Sequence, residues 1–203
     1  MVLLNRIKTL SFLLILVSLV SCKFENKTHL ESPIIPRPRT MFPATSSFVI
    51  TEKTKIIIDN NSSEMKNMAD ILKQLIDSTA SINISIQDIS QSKDLNNIIL
   101  LTTTNTPERV KSEGYHLKVD KDKLVIQGQE NSGVFNGLMS LSQIILLNEE
   151  DQKLHQLEIP NIQIWDEPRF MYRGMHLDVA RHFFPVSFIK KYLRIMALYK
   201  FNY

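Results

Sequence analysis

Short apolar runs alternate with longer amphipathic stretches from residue 46 onward, and this pattern predicts strands mixed with helices. In the short runs, apolar side chains occupy every second position or follow one another without interruption, as strands require. The predicted strands cover residues 46–50, 55–59, 82–87, 97–103, 115–119 and 123–127. The last two flank Asp120-Lys121-Asp122 and are therefore expected to pair as a hairpin.

Two stretches instead repeat apolar residues at three- and four-residue spacing, which predicts helices over residues 62–80 and 132–147. Two helices and about six strands favour an α+β domain in which helices cover one face of a sheet. A further apolar run, residues 159–168, predicts a strand that ends in a proline turn and leads out of this domain.

The last part of the chain has the pattern of a β/α unit. Residues 170–179 mix apolar and polar side chains as a buried strand does, and Ser187 is the expected N-cap of a helix after the turn at Pro185. Apolar residues resume at 201–203 and resemble the start of another strand. The apolar face of the predicted helix contains Phe188, Tyr192, Ile195, Met196 and Tyr199.

Two motifs in this unit are specific. The first reads RGxxLDxxRHFFP over residues 173–185, and the second reads MALYKFN over residues 196–202. Together they resemble the opening of the catalytic barrel of family 20 glycoside hydrolases, the β-N-acetylhexosaminidases. Residues 36–165 resemble the α/β domain that precedes this barrel, and GVFNGL at 133–138 is similar to the helix that abuts it.

The resemblance implies a (β/α)₈ barrel, which needs roughly 250 residues. Only its start fits here, so the adjacent Asp-Glu pair that performs the chemistry is expected beyond Tyr203, and this chain alone is expected to be inactive. The predicted organisation is a lipoprotein signal peptide at 1–22, a tether at 23–43, the α/β domain at 44–166 and the incomplete barrel at 167–203.

The resemblance also implies the reaction. The family removes terminal N-acetylglucosamine or N-acetylgalactosamine from glycans by substrate-assisted retaining hydrolysis, in which the acetamido oxygen of the sugar is the nucleophile. Glycans that contain N-acetylhexosamine are therefore the expected partners. Neither a metal nor an organic cofactor is expected.

Arg173 is the candidate substrate-binding residue, because its counterpart in the family's motif holds hydroxyls of the terminal sugar. A guanidinium offers five fixed donors without titrating. A structural ion pair with a neighbouring carboxylate is the alternative. Asp178 and Arg181 suit a charged pair that fixes the loop after the strand. Asp178 and His182 are not expected to be acid and base, because a glycosidase needs two groups that flank one bond.

Other residues in these segments are expected to be structural. His116 has no metal-ligand spacing around it, and Gly133 and Gly137 lack the pattern of a phosphate loop, so helix packing accounts for them better. His176 is expected to be packed or to face a loop. The aromatic residues Phe183, Phe184 and Phe188 are expected to be core rather than a platform for sugar.

The first residues predict export. Arg6 and Lys8 precede an apolar run at 10–20, which is too short to span a membrane but suits the core of a signal peptide. The run leads into Leu-Val-Ser-Cys and resembles a bacterial lipobox, so Cys22 is the predicted lipidation site. The expected location is the bacterial cell envelope, with the protein attached to a membrane by lipid. A plain signal peptide with an incidental cysteine is the alternative.

Charge and cysteine content remove some classes of function. The 24 basic and 21 acidic residues nearly balance, and no basic block with interleaved aromatics occurs, so nucleic acid is not an expected partner. One cysteine excludes an internal disulfide. Two alternatives stay open: an inactive or non-enzymatic surface lipoprotein with at most weak sugar binding, and another barrel glycosidase with a similar N-terminal domain.

Overall fold

Seven strands and three α-helices occur in the computed structural model, which describes residues 32–92, 94–147 and 155–203. A short 3₁₀ helix, Ile89–Gln91, follows the third strand. The strands are β1 Thr40–Ile50, β2 Lys55–Ile58, β3 Ser85–Asp88, β4 Ile98–Thr102, β5 Tyr115–Val119, β6 Lys123–Gly128 and β7 Leu157–Asp166. The helices are α1 Ser63–Ala80, α2 Asn131–Leu147 and α3 Val186–Leu198.

All seven strands form one mixed sheet in the order β1-β7-β5-β6-β4-β2-β3. The half that contains β3, β2, β4 and β6 is parallel, and β5 and β7 pair antiparallel on the other side. In the parallel half, consecutive apolar residues such as Ile56, Ile57 and Ile58 are buried on both faces. The predicted hairpin between β5 and β6 is confirmed.

Helices α1 and α2 cover the same face of the sheet, as predicted. Ile56, Ile99 and Leu124 lie opposite one another on neighbouring strands and join the buried residues of both helices in one hydrophobic core. Ser62 is the N-cap of α1, where its hydroxyl accepts a hydrogen bond from the Met65 N–H. A cap of this kind contributes about 1 kcal/mol.

Two glycines let α2 approach the sheet closely. A Cβ at Gly133 would lie 2.1 Å from the carbonyl oxygen of Gly114, and one at Gly137 would lie 2.5 Å from a methyl carbon of Ile126. Side chains at these positions would push the helix off the strands. The expectation that these glycines serve packing is confirmed.

Strand β1 begins inside the segment that the sequence predicts as a tether. Thr40 to Pro43 pair with Ile162 to Trp165 of β7, and Ile34 is buried in the core. Gln143 of α2 binds both backbone groups of Ile35. Residues 32–43 are therefore held against the domain, whereas the first part of the predicted tether lies outside the described residues.

The prediction of a buried strand at residues 170–179 is wrong in this structure. No strand is assigned between residues 167 and 185, and Phe170, Met171 and Tyr172 are at least 70% exposed. A buried strand needs hydrogen-bonded neighbours on both sides. Within the described chain, the backbone partners are few: Met175 N donates to Tyr203 O, and Asn202 N donates to Arg173 O, each at 2.9 Å.

Those two hydrogen bonds nevertheless run in the parallel sense. They join residues 173–175, before α3, to residues 201–203, after it. The order of an extended segment, a helix and a second segment parallel to the first is that of a β/α unit. The fold class predicted from the sequence is thus confirmed, with the first pairing of the barrel reduced to a short contact.

Two further details of this unit differ from the predictions. The N-cap of α3 is Pro185, whose carbonyl accepts from the N–H groups of Phe188 and Ile189, so Ser187 lies inside the first turn. The aromatic residues predicted as core are not buried: Phe183 is 92% exposed, and Phe188 stacks on Phe184 with the ring centroids 4.5 Å apart. Within α3 itself, no residue is fully buried.

Candidate functional site

Arg173 is held on three sides by the surrounding chain. Its Nη2 atom lies 2.8 Å from Oε2 of Glu113, and its side chain is only 15% exposed. Nε donates to the carbonyl of Lys200 and Nη1 to that of Phe170, each at 2.7 Å. The ion pair that the sequence leaves open as an alternative is therefore present, and the guanidinium plane has a fixed orientation. Sugar binding by Arg173 stays a prediction.

Glu113 reaches both segments of the β/α unit from the sheet domain. Its Oε1 atom accepts a hydrogen bond from Nδ2 of Asn202 at 3.4 Å, while its Oε2 pairs with Arg173. Asn202 in turn accepts from the Arg173 N–H through Oδ1 at 3.0 Å. The three side chains thus connect the loop before β5 with the two parallel segments.

A second contact between the sheet domain and the β/α unit is a buried polar cluster around Lys200. The Lys200 ammonium donates to the Tyr115 hydroxyl and to Oδ2 of Asp166, each at 3.2 Å. The Tyr115 hydroxyl also lies 2.6 Å from Oγ of Ser140 on α2. Each member of the cluster therefore has a polar partner, which buried polar groups require.

Burial shifts the pKa values of two members of this cluster, Lys200 and Tyr115. It lowers the pKa of Lys200 from its ordinary value, and the attraction of Asp166 opposes that shift. Burial likewise raises the pKa of Tyr115 well above its ordinary value, and the charge of Asp166 acts in the same direction. The hydroxyl of Tyr115 accordingly stays protonated at neutral pH.

Both contacts border one open cavity of about 590 Å³. Charged and aromatic side chains line it together, the combination that many ligand sites share. They include Glu113, Tyr115, Asp166, Tyr172, Arg173 and Lys200.

Asp178 and Arg181 lie in the exposed loop that follows the motif arginine. Oδ2 of Asp178 is 3.4 Å from Nε of Arg181, and its Oδ1 accepts from the N–H groups of Ala180 and Arg181. The charged pair expected from the spacing is present, although the Arg181 side chain is 86% exposed. Its part in a complete site stays a prediction, and His176 and His182 lie exposed nearby.

His116 lies elsewhere, on the sheet face that the helices leave open. Its ring stacks on that of Trp165, with the two ring centroids 3.7 Å apart. Its two nitrogens contact the side chains of Gln127 and Gln163. Burial lowers the pKa of His116 from its ordinary value. This environment is that of a packed neutral histidine, in agreement with the sequence analysis.

Sequence reasoning missed Glu113 and Lys200. Glu113 lies in a polar loop, where nothing in the pattern distinguishes it from other acidic residues. Lys200 carried a usable signal, because it interrupts the apolar run of the second motif at a position where a charge must be exposed or paired. Cys22, the predicted lipidation site, lies outside the described residues.

The described residues contain neither a cluster of metal ligands nor a membrane-spanning helix. No group of three or more possible metal ligands occurs in them. None of the helices described is both long and apolar enough to cross a membrane.

Comparisons with known proteins identify the two parts of the chain. Residues 31–167 match the family model for domain 2 of glycosyl hydrolase family 20, and residues 170–203 match the model for the catalytic domain of the same family. Neither match is to another family of barrel glycosidases, which was one of the alternatives.

Similar proteins and solved structures point to the same family as the two family models. A beta-hexosaminidase of Porphyromonas gingivalis is 34% identical over 92% of this chain, which spans only 24% of that protein. A GH20 beta-N-acetylhexosaminidase from Streptomyces coelicolor A3(2) superposes with a TM-score of 0.72 at 29% identity, covering 84% of this chain and 33% of the other. A mutant Streptomyces plicatus beta-hexosaminidase in complex with the product GlcNAc superposes with a TM-score of 0.69 at 26% identity, and it also covers 84% of this chain and 33% of the other.

The chain thus spans about a quarter of the length of its Porphyromonas relative. The match to domain 2 of family 20 covers most of the present chain, and the motif around Arg173 lies within the match to the catalytic domain. The chain therefore belongs to glycosyl hydrolase family 20.

Proposed function

We propose that the protein to which this chain belongs is an exo-acting β-N-acetylhexosaminidase that removes terminal GlcNAc or GalNAc from glycans. The observation that carries the proposal is the pair of consecutive family-20 matches, domain 2 at residues 31–167 and the catalytic domain at 170–203. The GlcNAc product in the Streptomyces plicatus structure supports this substrate class.

The proposed mechanism is substrate-assisted. The acetamido oxygen of the bound sugar attacks the anomeric carbon and forms an oxazolinium ion, which water then opens with net retention. A glutamate protonates the leaving oxygen, and an adjacent aspartate orients the acetamide. Both carboxylates are proposed to lie outside these 203 residues.

Arg173 is the residue of this chain that we assign to substrate. The carbonyls of Lys200, Phe170 and Met171 and the Glu113 carboxylate accept from Nε, from both Nη1 hydrogens and from one Nη2 hydrogen, which leaves one Nη2 hydrogen available for a sugar hydroxyl. The arginine also borders the 590 Å³ cavity. Its fixed plane would present that donor without further loss of side-chain entropy.

We also propose that the protein is exported and anchored by lipid on Cys22 in the bacterial cell envelope. The support is the sequence alone: an apolar export core that leads directly into Leu-Val-Ser-Cys and the only cysteine of the chain.

An assay of the complete gene product tests the proposed activity. We expect hydrolysis of 4-nitrophenyl N-acetyl-β-D-glucosaminide and of the galactosaminide, and no hydrolysis of 4-nitrophenyl β-D-glucoside, which lacks the acetamido nucleophile. A stable thiazoline analogue of the oxazolinium ion should inhibit the enzyme competitively. Equal turnover of the glucoside would refute the substrate-assisted mechanism, and failure to hydrolyse either N-acetyl substrate would refute the function.

A further inference from the structure

We infer that Glu113, in the sheet domain, is a positioning residue for the sugar-binding guanidinium of Arg173. The inference rests on the function proposed above and adds a role for the family-20 domain 2 segment. Its basis is the ion pair between Glu113 Oε2 and Arg173 Nη2 at 2.8 Å, which crosses from the sheet domain to the catalytic-domain segment.

The backbone of Glu113 is fixed from the sheet side. Its φ of 58° lies in the left-handed region, and the side-chain amide of Asn136 on α2 donates to its carbonyl oxygen at 2.8 Å. The next residue, Gly114, has little space, since a Cβ there would lie 2.9 Å from the carbonyl oxygen of Lys111. The carboxylate therefore starts from a rigid point on the domain.

The other partners of Arg173 belong to its own segment or to the second parallel segment. Carbonyls of Phe170 and Lys200 accept from Nη1 and Nε. These carbonyls hold Nη1 and Nε, and among the described contacts only that with Glu113 joins Nη2 to the sheet domain. Removal of the carboxylate would therefore let the whole guanidinium shift relative to that domain, together with the nitrogen that we assign to the sugar.

Charge supports the same assignment. Side-chain exposures are 15% for Arg173 and 29% for Glu113, so the pair is shielded from water more than a surface ion pair. Because the guanidinium is planar and rigid, a carboxylate that holds one Nη2 hydrogen also fixes where the other one lies. Glu113 thereby sets the position of the donor rather than touching the sugar.

A double-mutant cycle in the complete gene product tests this role. We expect Glu113→Gln to raise KM for the N-acetylglucosaminide by roughly fivefold with a smaller change in kcat, because the sugar contact is present before and during reaction. In the Arg173→Lys background, Glu113→Gln should change kcat/KM by less than about twofold, since a residue that acts through Arg173 has no effect once the guanidinium is gone. Glu113→Asp should restore part of the affinity.

Glu108→Gln is the matched control, because it removes an exposed carboxylate from the same connection between β4 and β5. It should leave KM unchanged. If Glu113→Gln and Arg173→Lys reduce kcat/KM independently, or if Glu113→Gln lowers KM, Glu113 does not position the arginine.

A measurement without substrate separates this inference from the proposed function. In the 203-residue chain, hydrogen exchange of the Arg173 side-chain N–H groups, followed by NMR, should be slow and should accelerate at least roughly tenfold in Glu113→Gln. Unchanged exchange would overturn the inference even for an active enzyme. If exchange accelerates but the complete gene product hydrolyses neither N-acetyl substrate, the ion pair exists as described. The proposed function and the role of Glu113 in sugar binding would then both be refuted.

Discussion

The ammonium of Lys200 lies 3.2 Å from the carboxylate of Asp166, and the two side chains are only 7% and 12% exposed. Asp166 ends the last strand of the sheet, whereas Lys200 follows the helix of the β/α unit. The buried pair therefore attaches the catalytic-domain segment to the sheet domain.

Removal of one partner of this pair should be costly. In the 203-residue chain, Asp166→Asn would leave the Lys200 ammonium buried beside a neutral amide, and we expect a loss of about 3 kcal/mol in the free energy of unfolding. Urea denaturation followed by circular dichroism measures it. Lys118→Met is the control, because its partner Asp120 and Lys118 itself are over 40% exposed, and it should cost less than about 1 kcal/mol. Equal effects would contradict a buried anchor.

The two glycines of α2 should differ in their tolerance of alanine. Gly133→Ala would place Cβ against the backbone oxygen of Gly114, which cannot move aside, whereas Gly137→Ala would meet a methyl group of Ile126. We expect Gly133→Ala to destabilise by at least about 2 kcal/mol and Gly137→Ala to destabilise less. Thermal melts of both variants check the order. A gain of stability at Gly133, as helix propensity alone would give, would show that α2 packs less closely.

The histidine on the open sheet face should make stability depend on pH. Since the folded pKa of His116 lies below the unfolded value of about 6.5, the unfolded chain binds more protons between the two values. The contribution is fully present above the unfolded pKa and is lost as pH falls through the folded one. Denaturation curves at pH values from neutral down to about 5 should show this loss, and His116→Phe should reduce it. An identical slope in the variant would rule out His116 as its source.

Limited proteolysis should report how the β/α unit is attached. The structure favours a first tryptic cut after Arg181, whose side chain is 86% exposed, while Lys200 keeps the second half docked. Mass spectrometry of the early products, before and after gel filtration, should find both fragments in one complex. Immediate loss of everything after residue 169 would contradict this docking.

Membrane attachment tests the predicted lipidation site. In a bacterial host that processes lipoproteins, the parent protein should fractionate with membranes and incorporate labelled fatty acid, because acyl chains on Cys22 supply the apolar anchor. Cys22→Ala should release it to the soluble fraction. Ser21→Ala is the control, as it keeps the cysteine and should remain attached. The anchor hypothesis fails if Cys22→Ala stays fully membrane-bound and the parent protein incorporates no label.

Local periodicity was sufficient for most of the sheet domain. The apolar spacing of α1 and the hairpin of β5 and β6 depend on side chains close in sequence, so the pattern predicted these elements nearly to their ends. The start of β1 was not predicted from the sequence, because Thr40 to Pro43 become a strand only by pairing with β7, which lies far along the chain. The motif around Arg173 identified the family without any structure, since it depends on residue identities in a fixed order.

Tertiary structure decided the site. Residues 170–179 read as a buried strand, yet most of that segment remains exposed because a strand is buried by its neighbours and not by its own pattern. From the sequence, Arg173 could bind a sugar or form an ion pair with a carboxylate. Only the fold showed that Oε2 of Glu113 lies 2.8 Å from its Nη2 atom. Lys200 was not predicted to belong to the site, and only the fold placed its ammonium beside Asp166 and Tyr115. Such contacts join distant parts of the chain, and no local spacing encodes them.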